Sequence, residues 1–256
     1  METRHDERVQ QLLLAIKRSD KLHLKDAARL LGVSEMTIRR DINTTDAPVS
    51  LLGGYLVIEA HAANASNYLL SVQKHRLVKE KQFIGRLAAK LVKPHHTVFF
   101  DCGTTTPWVI DAIPDDLPFT GICYSLNTFL SLQEKPMCQV ILCGGEFHHE
   151  NAVFTPVTFQ ETLDHLRPDL AFFSAAGVSP QKGITCFNIN ELPVKHWAMK
   201  AASRHILVAD HSKFGVVRGV FMGELSAFDS LVTDKAPSEA ELTALLTSAI
   251  TVICEE

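Results

Sequence analysis

The sequence predicts an α/β chain of two parts, an N-terminal winged helix-turn-helix and a C-terminal, mainly parallel α/β domain. Two observations predict it. Residues Leu24 to Ile42, LKDAARLLGVSEMTIRRDI, set apolar, small, glycine and capping residues at the spacing of two helices joined by a tight turn. From Thr97 onward, short apolar runs alternate with helical segments that have polar faces.

In chain order, Val9, Leu12, Leu13 and Ile16 predict an amphipathic helix, and Lys21 to Leu24 lead into the next one. Leu24, Ala27, Ala28 and Leu31 share a face on which the small Ala28 allows a second helix to approach closely. Gly32 ends this helix where a left-handed residue is cheapest, Val33 fills the corner, and Ser34 caps the following helix. Ile38 and Ile42 form the buried stripe of that helix. At about 100° per residue, Met36, Arg40 and Asn43 lie farthest from the stripe, with Thr37 and Arg39 on its flanks. Together with Ser34, these are the expected contacts to double-stranded DNA. Arg bridges O6 and N7 of guanine, while Thr, Ser and Asn reach phosphates or adenine. Val49 to Leu52 and Tyr55 to Ile58 around Gly53-Gly54 predict a β-hairpin, the wing. Its tip lacks Lys and Arg, so it meets DNA through backbone N–H groups or is purely structural.

Charge narrows this expectation. A net charge of -4 argues against general polyanion binding, and residues 1–58 hold nine Lys or Arg against eight Asp or Glu, so recognition has to rest on the placement of charge. The expected boundaries are 1–58 for the DNA-binding domain, 59–93 for a linker with a basic amphipathic helix, and 94–256 for the second domain. Within the linker, Lys74 to Lys93 carries seven Lys or Arg and the single acid Glu80 on a pattern built from Leu77, Ile84, Leu87, Ala88 and Leu91. It reads as the solvated face of a linking helix or as a phosphate contact. The six cysteines show no CxxC spacing and no signal peptide precedes the first helix, so a reducing cytoplasm is expected. No run approaches the ~20 apolar residues of a membrane span.

In the second domain, strands are expected over Thr97–Phe100, Phe119–Tyr124, Gln139–Leu142, Asp169–Ala175, His205–Ala209, Ser230–Thr233 and Thr251–Ile253. Helices are expected over Leu126–Gln133, Phe159–Leu166, Leu192–Ala202 and Glu239–Thr247. Ligands of such sheets bind where the strands end, and five segments qualify. The sharpest is Asp101 to Trp108, DCGTTTPW, in which Gly103 permits close approach and Thr104, Thr105 and Thr106 present hydroxyls and N–H groups before Pro107. This chemistry suits a phosphate, or simply a Thr-capped helix. The others bring Gly144 and Gly145, Gly177, the Glu191/Lys195 pair, and Asp210 with Lys213. Lys195 and Lys213 supply positive charge for a phosphate, and Asp101, Glu191 and Asp210 accept hydrogen bonds from sugar hydroxyls, so the set describes a pocket for a small phosphorylated polyol. GxxxxGK[ST], GxGxxG and GxSxG are absent. His95-His96 and His148-His149 are expected to be exposed loop residues, with no metal site.

LGVSEMTIRRDI, LLGGY, DCGTTT, CGGEF, Gly177, Glu191/Lys195 and DHSKFG resemble, in order and over nearly the whole chain, the DeoR family of bacterial repressors. The resemblance implies a C-terminal sensor domain similar to sugar-phosphate isomerases, which binds a phosphorylated sugar and releases operator DNA. It also implies deoxyribose 5-phosphate as inducer, genes of deoxynucleoside catabolism as targets, and no cofactor. The wing departs from relatives that carry a basic residue where this chain has Leu51-Leu52. An enzymatic alternative, a sugar-phosphate isomerase or hydrolase, draws its base from Asp101, Glu191 or Asp210. The first 58 residues, for which an isomerase has no use, favour a non-enzymatic regulator that works as a homo-oligomer on repeated half-sites.

Overall fold

The structure, a computed structural model, describes residues 8–9, 11–13, 15–16, 22–44, 49–52, 55–58, 77–149, 151–157 and 163–254. The chain divides into two units, Met1–Asn67 and Tyr68–Glu256.

In the first unit, β1 (Leu22–His23) runs into α1 (Leu24–Leu31), which buries Leu24 and Ala27 and turns Lys25, Asp26 and Arg29 to solvent. Gly32 ends α1 at φ 62° and ψ 31°, and the Val33 amide returns to the Ala28 carbonyl at 3.1 Å. A side chain at Gly32 would face open space. The requirement is therefore conformational, worth about 1–2 kcal/mol for a residue with a Cβ. Ser34 Oγ accepts from the Thr37 amide at 3.2 Å and starts α2 (Glu35–Thr44), as its cap position predicts. Ile38 is fully buried against Leu12, Ile16, Leu24, Ala27, Val49 and Leu56, with Ile42 half-buried beside it.

Two features depart from the sequence pattern. Asp41 shares the buried face of α2, where Arg8 Nε donates to its carboxylate at 2.7 Å, a pairing that helical periodicity does not reveal. β2 (Val49–Leu52) and β3 (Tyr55–Ile58) form the expected hairpin with Leu52 opposite Tyr55, but β1 also joins β3 as a third strand with Leu22 opposite Leu56. The wing tip, Gly53-Gly54, lies outside the described residues.

The second unit follows the order α3 (Val78–Ala89), β4 (Thr97–Phe100), α4 (Thr106–Asp111), β5 (Phe119–Cys123), α5 (Leu126–Gln133), β6 (Cys138–Leu142), β7 (Glu146–His148), β8 (Val153–Thr155), β9 (Leu170–Ser174), β10 (Gly177–Ser179) and β11 (Gly183–Cys186). It continues with α6 (Leu192–Ala201), β12 (His205–Val208), β13 (Val220–Gly223), β14 (Ser230–Val232), α7 (Glu239–Thr247) and β15 (Thr251–Ile253). Seven strands build one parallel sheet in the order β15-β14-β12-β9-β4-β5-β6. Alternate residues of its central strands feed two cores, as a sheet covered on both faces requires. Phe99, Phe173 and Leu207 pack with Val194 and Trp197 of α6 on one face. Phe100, Phe172 and Val208 pack with Ile84 of α3 and Val109 of α4 on the other.

The antiparallel hairpin β7–β8 and the small sheet β10-β11-β13 were not legible as periodic runs, because their strands have only three or four residues. The expected linking helix is built into this unit. α3 buries Ile84, Gly85, Ala88 and Ala89 and also Lys81, because its apolar stripe covers the sheet; only part of its basic face is solvated. Of the helix expected over 159–166, residues 159–162 lie outside the described residues, and of 163–166 only Leu163 is helical. Among the described residues no helix is long and apolar enough to cross a membrane. All six cysteines are unpaired.

Candidate functional site

From β4 the sheet grows through β5 and β6 to one edge, then the chain returns to place β9 on the other side of β4. That reversal opens a crevice beyond the C-terminal ends of β4 and β9, the position at which such sheets take ligands. Here the crevice is lined by Cys102, Gly103, Thr104 and Thr105 after β4, by Ser174 at the end of β9 with Ala175 and Ala176 after it, and by Asn151, Cys186, Phe187, Glu191, Lys195 and Lys213. It encloses about 470 Å³ including the solvent at its mouth.

A charged network forms its base. Lys195 and Asp101, both fully buried, make a direct ion pair across 94 residues of sequence. The Asp101 carboxylate also accepts from Tyr124 Oη at 2.7 Å and from the Ser174 amide at 2.9 Å. Burial alone would raise its pKa, but the Lys195 charge and these donors outweigh that and hold it below the ordinary carboxylate value. Burial likewise opposes the charge on Lys195, yet Asp101 holds its pKa well above the usual lysine value. Cys102 is pushed well upward, by burial first and Glu191 next, and burial raises Cys186 to about 12, so both remain inert thiols.

Glu191 closes the network from the turn before α6. Its Oε2 lies 3.5 Å from Lys195 Nζ, and its Oε1 accepts from Asn151 Nδ2 at 2.8 Å and Asn188 Nδ2 at 2.9 Å. Lys195 is therefore flanked by two carboxylates. The other cation in the described wall is Lys213.

Six of the expected effector residues meet at the crevice: Gly103, Thr104, Thr105, Glu191, Lys195 and Lys213. The other six do not line it, each for a physical reason. Asp101 sits beneath the wall and is engaged by Lys195, Tyr124 and Ser174. Thr106 is buried and donates to the Asp101 carbonyl at 2.7 Å, closing the loop. Asp210 accepts from the Ser212 amide at 3.0 Å and from its hydroxyl, capping a single turn of 3-10 helix. Gly145 packs on the Thr155 carbonyl and Gly177 on the Val216 carbonyl, while Gly144 is exposed beyond β6. Gly103 lines the crevice, but its missing side chain makes room for Ser174: a Cβ there would lie 1.7 Å from Ser174 Oγ. Asn151, Ser174 and Phe187 are not among the expected residues. Asn151 and Phe187 come from segments without periodicity, and Ser174 is the polar last residue of β9, so long-range packing alone brings the three together here.

In the first unit, Ser34, Met36, Arg39 and Arg40 are exposed on one side of α2, with Met36 at 73% exposure. Thr37 is half-buried and shares a 2.9 Å hydrogen bond with Ser34 Oγ, so both hydroxyls also serve the cap. Asn43 lies in α2, and its side chain falls outside the described residues. His95 and His149 are exposed, whereas His148 is a strand residue paired with Thr155 Oγ1 at 2.7 Å. Among the described residues no His, Cys, Asp and Glu cluster could hold a metal ion.

Comparison with known proteins places these two units. Residues 8–61 match the DeoR-like helix-turn-helix domain and residues 76–235 the DeoR C terminal sensor domain. The chain is 64% identical over 239 residues to the deoxyribose operon repressor of Escherichia coli K12, covering 93% of this chain and 94% of that one. It is 27% identical to the glycerol-3-phosphate regulon repressor of the same organism, covering 87% and 88%. A ribose 5-phosphate isomerase from Methanocaldococcus jannaschii aligns with 52% of this chain and 53% of its own at 18% identity and a TM-score of 0.39. By domain content and by identity along nearly its whole length, the chain is a member of the DeoR family.

Proposed function

We propose that this protein is a transcriptional repressor of deoxyribose and deoxyribonucleoside catabolic genes, released from operator DNA by a phosphorylated sugar, deoxyribose 5-phosphate. The observation that carries the proposal is the 64% identity to the deoxyribose operon repressor, which extends through both the helix-turn-helix and the crevice-bearing domain. Met36, Arg39 and Arg40 stand exposed on α2 to read the major groove, Met36 against a thymine methyl and the arginines against guanine or phosphate. A homo-oligomer presents two or more such helices to repeated half-sites. The protein works in the cytoplasm, a location its six unpaired cysteines support.

The charge pattern divides the crevice. Because Asp101 and Glu191 surround Lys195, a phosphate gains little there, and Lys213 with the Thr104 and Thr105 hydroxyls forms the better phosphate end. The same engagement supports a sensor without turnover. Asp101 and Asp210 are turned to internal partners rather than to a substrate carbon.

Replacing Lys213 or Thr105 with alanine is expected to leave operator binding intact and raise the sugar phosphate concentration for half-release by roughly tenfold or more, the worth of one hydrogen bond to a charged group. Operator-fragment binding with increasing ligand measures this. Normal induction of both variants would place the phosphate elsewhere, and steady conversion of ribose or deoxyribose phosphate by the purified chain would favour an isomerase.

A further inference from the structure

All three carboxylates that the sequence offered as acceptors for sugar hydroxyls have internal hydrogen-bonding partners. Among the described residues the wall also holds a buried side-chain acceptor that has none. Asn151 is buried and lines the crevice, and its Oδ1 has no hydrogen-bond partner among the described residues. Its orientation is chemically determined. A carboxylate oxygen attracts donors, so Glu191 Oε1 draws Nδ2 to 2.8 Å, and a flipped amide would set two acceptors against each other. Asn188 secures Glu191 from another side at 2.9 Å. The backbone around Asn151 is fixed as well, since the neighbouring Ala152 carbonyl accepts from the Leu126 amide at 2.9 Å and the Phe154 amide reaches the Tyr124 carbonyl at 2.7 Å. A fixed, buried acceptor without a donor is costly in a folded protein and calls for a specific occupant.

We propose that Asn151 Oδ1 is the acceptor that reads a hydroxyl of the bound sugar, with Glu191 and Asn188 acting as positioning residues that hold its amide in register. The inference rests on the sugar-phosphate reading of the crevice and adds the ligand's orientation to it. A phosphate near pH 7 offers oxygen acceptors, and neither Asn151 Oδ1 nor the Glu191 carboxylate rewards these; a sugar hydroxyl offers the missing donor. The phosphate therefore lies toward Thr104, Thr105 and Lys213 and the hydroxyl-bearing carbons toward Asn151. A site built to hydrogen-bond one hydroxyl discriminates strongly against an analogue without it, because the buried acceptor is then left bare.

Calorimetric binding to the full chain tests this with 2-deoxyribose 5-phosphate, its 1,2-dideoxy and 2,3-dideoxy counterparts and inorganic phosphate, on the native protein and on Asn151→Leu and Asn151→Ala. Urea unfolding of each variant, beside ligand-free operator binding, confirms that both units are folded, so either variant suffices. In the native protein, loss of the recognised hydroxyl weakens binding by about tenfold or more, while in the variants the parent sugar and that analogue bind alike. A penalty that persists in the variants, or native binding indifferent to both hydroxyls, overturns the role of Asn151 while leaving the sugar-phosphate site standing. Failure of every sugar phosphate to bind the native protein above inorganic phosphate overturns the site reading, and the Asn151 proposal with it.

Discussion

Lys195→Met is expected to destabilise the C-terminal domain by about 3–5 kcal/mol, the cost of leaving a buried charge without its partner. Asp101 is completely buried, and Tyr124 Oη and the Ser174 amide would remain as donors without supplying a compensating charge. Adding Asp101→Asn to this variant removes the nearer and more deeply buried of the two carboxylates that lose their cation, while Glu191 keeps its Asn151 and Asn188 donors. The double variant is expected to recover roughly half the loss or more, since residues of one network are not additive. Urea unfolding of the chain reads both values. A loss below about 1 kcal/mol in the single variant would mean that the pair is solvated and contributes little.

The pH dependence follows from the directions of the two shifts. Asp101 is lowered, so its contribution is present above the unfolded carboxylate value near pH 4 and is lost as pH falls through the folded value. Lys195 is raised, so its contribution is present below the unfolded value near pH 10 and is lost as pH rises through the folded one. The two describe one interaction and are counted once. The stability difference between native protein and Lys195→Met is therefore flat between about pH 5 and pH 9 and shrinks on either side.

Arg40→Ala is expected to weaken specific operator binding by about 1–3 kcal/mol, roughly fivefold to a hundredfold, and to relax the preference at one base position. Arg40 is exposed on α2 beside Arg39 and across one turn from Met36. The N-terminal unit has too little net positive charge to bind DNA by bulk attraction, so losing one of the two arginines should matter more than it would on a strongly basic surface. Competition between operator and scrambled fragments at two salt concentrations separates the terms. A uniform loss at all sequences with a shallower salt slope would reassign Arg40 to phosphate contact.

Much of this architecture is legible in the sequence because local rules agree. Gly32 and Ser34 fulfil their roles through local backbone conformation and a contact within one turn, Ile38 is buried where the helical stripe sets it, and the seven parallel strands fall where their apolar runs are, within about a residue of the expected ends. The site was legible as a set of loops and not as a set of roles. DCGTTT, Glu191, Lys195 and Lys213 do converge, but which polar atoms face inward depends on partners far apart in sequence. Asp101 meets Lys195 across 94 residues and Asn151 meets Glu191 across 40, and no periodicity encodes either pairing. Asp41 is the same lesson in the first unit: an acid buried on α2, where Arg8 reaches it across 33 residues. The helix Val78–Ala89 reads as a linker from its charges and as a core element from its alanines and Ile84, and packing against the sheet decides for the second.

The central claim is that occupation of the Thr104–Lys213 crevice controls operator binding. Titrating a complex of the full chain and an operator fragment with deoxyribose 5-phosphate, beside an equal series of inorganic phosphate, tests it most directly. Saturable release by the sugar phosphate is expected, a several-fold to about hundredfold loss of affinity corresponding to the usual 1–3 kcal/mol of coupling, with inorganic phosphate far less effective. An operator affinity unchanged at saturating sugar phosphate would contradict it.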